Sequence, residues 1–385
     1  MTAAAVELAA ELVEQVVERT IEICAVPGPP LREADRCDVV ERWWQQDGLD
    51  HITRDRTGNL WARIRPGEPG TTHGAIVVCA HLDTVFDPAE PHGARRVGNR
   101  LQGPGVGDDS VALAALSTLA IGLPASLTVP VWVLATIGEE GLGDLAGVRA
   151  ALADPVVPIG TMIAVEGNYL GRVCTTGVGS ARWRVIVDGP GGHAWEAAHA
   201  PNAVHVAAGM VHRVTTLERP AGARTAINVG TFSGGEAINA RARRAVFELD
   251  VRSDRADALD ALAAACERVL HGDAQGCTVT VRGIGRRPAG SIDPQHALVR
   301  SALAAQRAVG IEPRLTAAST DANAAHAAGL AAITVGVTYG EGEHTPEEWI
   351  DLDHLPEGLW TLTSTVERYA ASLGAPHELT GGTTR

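Results

Sequence analysis

Two histidines and four acids stand just after apolar segments of this sequence, where their side chains could act together. They are His81, Asp108, Glu139, Glu140, Glu166 and His344. Each follows a predicted strand or strand-like turn, and open α/β sheets place their functional sites at the carboxyl ends of the strands. Independent surface residues would rarely align in this way, so we expect these six side chains to form one site.

The chemistry that this set favours is metal binding. Divalent ions such as Zn²⁺, Co²⁺ and Mn²⁺ accept mixed nitrogen and oxygen donors, and two ions can be held if one carboxylate bridges them. Such a pair polarises a carbonyl and lowers the pKa of water, while a remaining acid acts as general base. From the residues alone, that acid is either Glu139 or Glu140. In His81-Leu82-Asp83, the carboxylate could hold the second nitrogen of the imidazole.

The glycine-rich segment 103–110 allows two other interpretations. Asp and Ser ahead of an apolar helix can simply cap it. A dinucleotide-binding turn would require glycine where Asp108 stands, and a carboxylate there would repel a pyrophosphate. We therefore disfavour a nicotinamide-dependent oxidoreductase.

Apolar segments alternate between predicted strands and helices over much of the chain. Strands are predicted at 75–80, 131–136, 161–165 and 332–337, and helices at 111–123, 144–152 and 297–308. Continuously apolar strands are covered on both faces, and their alternation with helices predicts an α/β layer architecture. The uncharged stretch 110–138 is long enough to span a bilayer, but Pro124 and Pro130 would interrupt such a helix.

A second domain is predicted at residues 178–285. Residues 181–187 alternate polar and apolar side chains for much of their length, as expected where one face of a sheet meets solvent. A helix, strands at 226–232 and 240–251, a helix at 256–270 and a strand at 277–281 complete a β-α-β-β-α-β order. We predict that this domain is inserted into a discontinuous first domain made of residues 1–177 and 286–385.

Composition excludes several classes of function. The 385-residue chain carries 32 Lys and Arg against 46 Asp and Glu, a net charge of −14, whereas nucleic acids and anionic membranes attract clustered cations. The six cysteines lack C-x-x-C spacing, which favours buried free thiols in a reducing compartment. Acids at helical spacing in residues 7–18 indicate an amphipathic helix rather than a signal peptide. We expect a cytoplasmic protein with neither a nucleic-acid nor a membrane partner.

Together, the motifs resemble those of the dinuclear metallohydrolases that include carboxypeptidase G, peptidase T, aminoacylase, acetylornithine deacetylase and succinyl-diaminopimelate desuccinylase. The resemblance covers nearly the whole chain. Its motifs stand in the family's order: His81-Leu82-Asp83-Thr84-Val85, Gly107-Asp108-Asp109, Gly138-Glu139-Glu140-Gly141, Glu166-Gly167, Gly191-Gly192-His193 and His344. It implies a metal-binding α/β catalytic domain with a mixed sheet and an inserted ferredoxin-like βαββαβ lid domain used for dimerisation.

The resemblance also implies which residues hold the metals. Asp108 would bridge two divalent ions, for which Zn²⁺ is the first candidate and Co²⁺ or Mn²⁺ are alternatives. His81 and Glu166 would complete the ligands of one ion. Glu140 and His344 would complete those of the other.

Catalytic and substrate-binding roles follow from the same resemblance. Glu139 would be the general base, Asp83 would orient His81, and the peptide bond between Asp108 and Asp109 would be cis. The lid domain would add an oxyanion-stabilising histidine that reaches the partner subunit's site and two residues for the substrate's amide oxygen and carboxylate: His193, Asn239 and Arg252. A turn histidine and a surface salt bridge are the alternatives for the first and last of these.

These observations predict a homodimeric hydrolase that cleaves a peptide or N-acyl amide bond of a small carboxylate-bearing substrate. An exopeptidase and an N-acyl-amino-acid deacylase both fit. Ser110 and Ala112 depart from residues that are frequent in the family, so the branch that would narrow the substrate stays open. A non-catalytic binding homologue is the alternative from another class.

Overall fold

The computed structural model describes residues 3–374. The predicted first domain also includes residues 1–2 and 375–385, which lie outside the described residues. The helices are α1 (Ala3–Cys24), α2 (Ala34–Gln46), α3 (Val111–Leu116), α4 (Leu119–Gly122), α5 (Ala146–Ala153), α6 (Ala203–Thr215), α7 (Ala256–Leu270), α8 (Ala297–Ala308), α9 (Ala322–Ala327) and α10 (Leu355–Gly374). The strands are β1 (Asp50–Arg54), β2 (Leu60–Arg65), β3 (Ala75–His81), β4 (Arg95–Val97), β5 (Arg100–Gln102), β6 (Val131–Thr136), β7 (Ile159–Val165), β8 (Arg172–Gly177), β9 (Gly179–Asp188), β10 (Thr225–Gly234), β11 (Arg244–Ser253), β12 (Thr278–Arg287), β13 (Gly290–Ser291), β14 (Arg314–Ala318), β15 (Ala331–Val335), β16 (Gly340–Glu341) and β17 (Trp349–Asp351).

The described chain divides into two compact units. Unit 1 comprises the chain up to Thr175, Ile292–Thr316 and the chain from Thr320 onward. Unit 2 comprises Thr176–Ser291 and Ala317–Ser319. The predicted inserted segment 178–285 therefore lies within unit 2, whose last strand β12 continues to Arg287.

The main sheet of unit 1 is mixed, as the resemblance implies. Its strands follow the order β1-β2-β6-β3-β7-β15-β8. The four central strands β6, β3, β7 and β15 are parallel to one another. The outer strands β1, β2 and β8 pair antiparallel with their neighbours.

Both faces of this sheet are covered, which the continuous apolar strands predicted. Alternate residues of β3 enter two different hydrophobic clusters: Ile76, Val78 and Ala80 belong to one, and Ala75, Val77 and Cys79 belong to the other. Every residue of β3 and of β6 is buried. The carboxyl ends of these strands are thus fixed by packing on both sides.

A small antiparallel sheet in unit 1 joins two loops that matter for the site. Its strand order is β16-β17-β5-β4. Residue Trp349 of β17 pairs with Gln102 of β5, and Ile350 pairs with Leu101. The segment that leads to Asp108 therefore lies beside the segment that follows His344.

Unit 2 has its own sheet and core. Its elements occur along the chain in the order β9, α6, β10, β11, α7, β12, and its antiparallel strands lie in the order β10-β11-β9-β12. Trp183, Phe247 and Leu262 belong to one buried cluster with residues from both helices. Asn202 caps α6 because its side-chain oxygen accepts from the amides of Val204 and His205.

Several predicted elements require correction. The single helix predicted over 111–123 is wrong, because α3 and α4 are separated at Ser117 and Thr118. There the hydroxyl of Thr118 donates to the carbonyl of Ala115 at 2.6 Å, a local bond that competes with regular helical bonding. The helix predicted at 144–152 begins at Ala146 instead, because Asp144 and Leu145 have left-handed φ angles of 55° and 64°. The strand predicted at 240–251 begins only at Arg244.

Two further expectations concern cysteines and membranes. All six cysteines lie in the described residues as free thiols, and five of them are buried while Cys277 is half-buried. Between residues 3 and 374, no helix combines the length and apolar character needed to cross a bilayer.

Candidate metal centre

The carboxyl ends of four neighbouring parallel strands gather the predicted residues. β3 ends at His81, which pairs in register with Thr136 at the end of β6. Glu139 and Glu140 follow β6, and Glu166 directly follows β7. β15 is followed by β16, and His344 lies in the connection from β16 to β17. The prediction of one sheet is therefore confirmed for β3, β6 and β7, whereas Asp108 and His344 follow β5 and β16 of the small sheet.

Three groups of side chains place potential donor atoms within 4.8 Å of one another: His81–Asp108–Glu166, Asp108–Glu140–His344 and His81–Glu139–Glu140. Nε2 of His81 lies 2.8 Å from Oδ1 of Asp108. Nε2 of His344 lies 3.1 Å from Oδ2 of Asp108 and 3.1 Å from Oε1 of Glu140. Asp108 therefore presents a different carboxylate oxygen to each imidazole.

The turn that carries Asp108 is held by the residue beside it. The peptide bond between Asp108 and Asp109 is cis, as the resemblance implied. Oδ2 of the buried Asp109 accepts from the amide of His81 at 3.0 Å, and Oδ1 accepts from the amide of Gly167 at 3.0 Å. Asp109 thus ties this turn to the ends of β3 and β7.

Asp83 contacts both His81 and the loop after β6. Nδ1 of His81 lies 3.0 Å from the backbone carbonyl of Asp83 and 3.5 Å from its Oδ1. The two carboxylate oxygens accept from the amides of Glu139 and Glu140, at 2.9 and 2.7 Å. Asp83 is fully buried, so these two amides supply its carboxylate with the hydrogen bonds that a buried charge requires.

Negative charge accumulates at this edge of the sheet. Burial and the charge of Asp108 raise the pKa of Glu140 to about 7. Burial, then the charges of Asp109 and Asp108, raise the pKa of Glu166 well above its usual value. Burial opposes ionisation of Asp108, but hydrogen bonds from His344 and His81 hold its pKa below its usual range. A cation bound among these carboxylates would relieve their mutual repulsion.

The donor set fits divalent metal ions. It combines imidazole nitrogens with carboxylate oxygens, the mixture that Zn²⁺, Co²⁺ and Mn²⁺ accept. Two of the three groups share Asp108, so one carboxylate could serve two ions. Such an arrangement could activate a water molecule and a carbonyl group together.

Of the three predicted residues of unit 2, His193 and Asn239 are exposed and lie outside its strands, and Arg252 lies on β11. His193 is exposed and forms an isolated antiparallel bridge with Ala240. The amide of Ala194 donates to the backbone carbonyl of Asn239 at 2.8 Å. Nε of Arg252 donates to Oδ2 of Asp250 at 2.7 Å, so the salt bridge considered as an alternative for Arg252 is present.

The buried acids of unit 1 that no sequence pattern marked include Glu348 and Asp321. Glu348 accepts hydrogen bonds from three backbone amides of the loop that leads to Asp108. Oδ2 of Asp321 accepts from the hydroxyl of Thr136 at 2.6 Å, and burial followed by the charge of Glu139 raises the pKa of Asp321 to about 7. Neither acid follows an apolar strand directly, so the pattern that revealed the other acids could not reveal these.

Comparisons with known proteins agree on one family and fold. The model of peptidase family M20/M25/M40 matches residues 77–368. The cytosol non-specific dipeptidase of Escherichia coli (strain K12) is 24% identical over 289 residues, which cover 65% of this chain and 56% of that protein. The chain thus spans little more than half the length of this curated relative.

Solved structures resemble nearly the whole chain. An aminopeptidase PepT from Bacillus cereus ATCC 10987 has a TM-score of 0.74 at 21% identity and covers 93% of this chain and 99% of its own. A tripeptidase from Staphylococcus aureus subsp. aureus Mu50 has a TM-score of 0.75 at 19% identity, with coverage of 93% and 99%. A dinuclear metal-binding peptidase of the M20 family from Bacillus subtilis has a TM-score of 0.68 at 16% identity, with coverage of 94% and 99%. These likenesses show the fold.

Proposed function

Because the chain belongs to peptidase family M20/M25/M40, we propose that it is a dinuclear metal-dependent hydrolase that cleaves a peptide or N-acyl amide bond of a small carboxylate-bearing substrate. The family match confirms the resemblance inferred from the motifs. The observation that carries the proposal is the pair of three-residue groups that share Asp108.

In this proposal, Asp108 would be shared by two divalent ions. His81 and Glu166 would complete the ligands of one ion, and Glu140 and His344 would complete those of the other. The donor groups on which this rests lie within 4.8 Å of one another. Zn²⁺ is the first candidate, and Co²⁺ and Mn²⁺ accept the same donors. When bound, such a pair would polarise the substrate's amide carbonyl and lower the pKa of water.

Glu139 acts as the general base. Its carboxylate takes a proton from the water that attacks the carbonyl carbon, and it returns this proton to the amine nitrogen as the C–N bond breaks. The position of Glu139 supports this role, because it is buried and its donor atom lies with those of His81 and Glu140. The hydrogen bond from its amide to Asp83 would hold the base in place, and the contact of Asp83 with Nδ1 of His81 would orient that imidazole.

Residues of unit 2 would contact the substrate. We assign His193 to the oxyanion of the tetrahedral intermediate in the site of a second copy of the chain, Asn239 to the substrate's amide oxygen, and Arg252 to its carboxylate. A guanidinium can donate two parallel hydrogen bonds to a carboxylate. The side chain of Arg252 is 44% exposed, so it is accessible although Asp250 accepts from its Nε.

The substrate and setting follow from the same proposal. The relative in Escherichia coli is a cytosol non-specific dipeptidase, which favours a cytoplasmic exopeptidase acting on short peptides. The inserted segment would form a lid through which two chains associate, and β10 supports this because it is an edge strand of the unit 2 sheet with exposed residues. A sedimentation mass of one chain would contradict the dimer.

The Glu139→Gln variant tests the proposed chemistry. We expect it to retain both metal ions and to lose turnover by about 10²–10⁴-fold, because Gln cannot accept the proton. Metal content by plasma mass spectrometry and initial rates on dipeptides, tripeptides and N-acetyl amino acids measure both effects. The exposed Glu267→Gln variant provides the control.

Each outcome distinguishes the alternatives. A rate for Glu139→Gln close to that of the wild type would remove Glu139 from the mechanism. Turnover of N-acetyl amino acids in preference to peptides would identify a deacylase. A metal-loaded wild type that turns over none of these substrates would indicate the binding homologue.

A further inference from the structure

Glu348 is a buried acid whose side chain contacts the loop ahead of the predicted bridging residue. Its exposed fraction is 0%. Oε2 accepts from the amide of Gly105 at 2.8 Å, and Oε1 accepts from the amides of Gly107 and Asp108, each at 2.8 Å. The backbone carbonyl of Glu348 also accepts from the amide of Gly103, at 2.9 Å. One residue therefore holds the loop at four amides.

The small sheet of unit 1 fixes Glu348 in this position. Glu348 immediately precedes β17, which pairs with β5, and β5 ends immediately before Gly103. A Cβ at Gly107 would lie 2.9 Å from Oε1 of Glu348, so a side chain at this one position would displace the carboxylate. Glu348 also stands four residues after His344. It thus links the two loops that carry Asp108 and His344.

We propose that Glu348 is a positioning residue that sets the bridging carboxylate of the metal centre. By holding the backbone of Asp108, it directs Oδ1 toward His81 and Oδ2 toward His344, the two orientations that a bridge requires. This inference rests on the proposed function, because it takes Asp108 as the bridge. The backbone N–H groups of Gly105, Gly107 and Asp108 together use both carboxylate oxygens of Glu348 as acceptors. The side-chain amide of glutamine has only one oxygen, and its NH₂ group is a donor.

The experiment compares Glu348→Gln with Glu347→Gln, which makes the same substitution at the adjacent, exposed position. In Glu348→Gln, the side-chain NH₂ would face backbone N–H groups, so the loop loses part of its support. We expect metal affinity of the chelated protein to fall about 10–100-fold, as for other residues that support ligands. Glu347→Gln should bind like the wild type. Isothermal titration with Zn²⁺ or Mn²⁺ measures the affinity.

A second readout separates positioning from general stability. If Glu348 positions Asp108, excess metal should restore much of the activity of Glu348→Gln, and Glu348→Asp, which keeps a carboxylate, should bind metal more tightly than Glu348→Gln. Glu348→Asp also serves if the Gln variant does not fold. Equal metal affinity in all variants, with a lower unfolding midpoint for Glu348→Gln alone, would overturn the inference. A wild type that binds no metal would overturn the proposed function, and this role with it.

Discussion

Carboxylates hold the backbone of the loop that contains the proposed base. Asp83 accepts from the amides of Glu139 and Glu140, and the buried Glu33 accepts from the amide of Gly138 at 2.9 Å. Hydrogen bonds from backbone amides to ionised acceptors are stronger than those to neutral ones. These bonds fix the backbone of the loop without a bound ion. The potential ligand atoms of Glu139 and Glu140 lie within 4.8 Å of that of His81.

Protonation of His344 predicts how metal binding depends on pH. Hydrogen bonds to Asp108 and to Glu140 raise the pKa of His344 to about 10. The imidazole is then protonated at neutral pH in metal-free protein, whereas a metal ligand must be neutral. Metal binding should therefore release a proton from His344, and the apparent metal affinity should rise with pH up to the folded pKa of about 10.

Calorimetry in two buffers of different ionisation enthalpy measures this release. At pH 7.5 we expect titration of chelated wild-type protein to release about one proton more than titration of His344→Ala. The variant lacks the imidazole but keeps Asp108 and Glu140. Equal proton release from the two proteins would show that His344 does not exchange its proton for metal.

At the level of elements, the parallel strands were predictable and the small connections were not. Continuous apolar runs identified the core of β3, β6, β7 and β15, and helical periodicity predicted α7 and α8 with the bounds that the structure has. No sequence pattern predicted α2, α10 or the two- to three-residue strands of the small sheet. Strands this short have too little pattern to detect, and pairing between distant segments such as β5 and β17 is set by tertiary structure.

The same limit explains which of the clustered side chains could be predicted. The six predicted residues follow strands or a glycine-rich turn, so their position along the chain revealed their position in space. Glu348 and Asp321 reach the site region through contacts with segments distant in sequence, Asp108 and Thr136. No local pattern marks such a contact, because it depends on how the segments meet after folding.

Packing of α10 against the chain after β15 gives a prediction for this element. A Cβ at Gly358 of α10 would collide with the backbone carbonyl of Val337, which lies on the segment leading to His344. We expect Gly358→Ala to lower the free energy of unfolding by about 1–3 kcal/mol, as overpacking does. Urea unfolding of chelated protein measures this change.

Gly209 provides the matched control, because it lies within α6 and an added Cβ would meet only the tip of Arg213, at 3.5 Å. Alanine there should stabilise the protein by about 0.5–1 kcal/mol through helix propensity. If Gly358→Ala stabilised the protein as much as Gly209→Ala, the close approach of α10 to Val337 would be excluded.

Across the whole molecule, the residues with proposed roles are distributed over both units. Unit 1 contains all five predicted metal ligands and Glu139, and unit 2 contains His193, Asn239 and Arg252. We expected a boundary near residue 178 because the sequence changes there from continuously apolar strands to alternating ones, and unit 2 begins at Thr176. The assignment of substrate contacts to unit 2 still depends on the family resemblance, since no pattern within these segments specifies a ligand.

The proposed function requires that one chain binds two metal ions, and the metal content per chain measures this number. Plasma mass spectrometry would be applied to the protein as isolated, after chelation, and after reconstitution with Zn²⁺, Co²⁺ or Mn²⁺ and removal of excess ion. We predict about two equivalents per chain after reconstitution, as a shared Asp108 requires. Failure to retain any ion under all three conditions would contradict the dinuclear hydrolase.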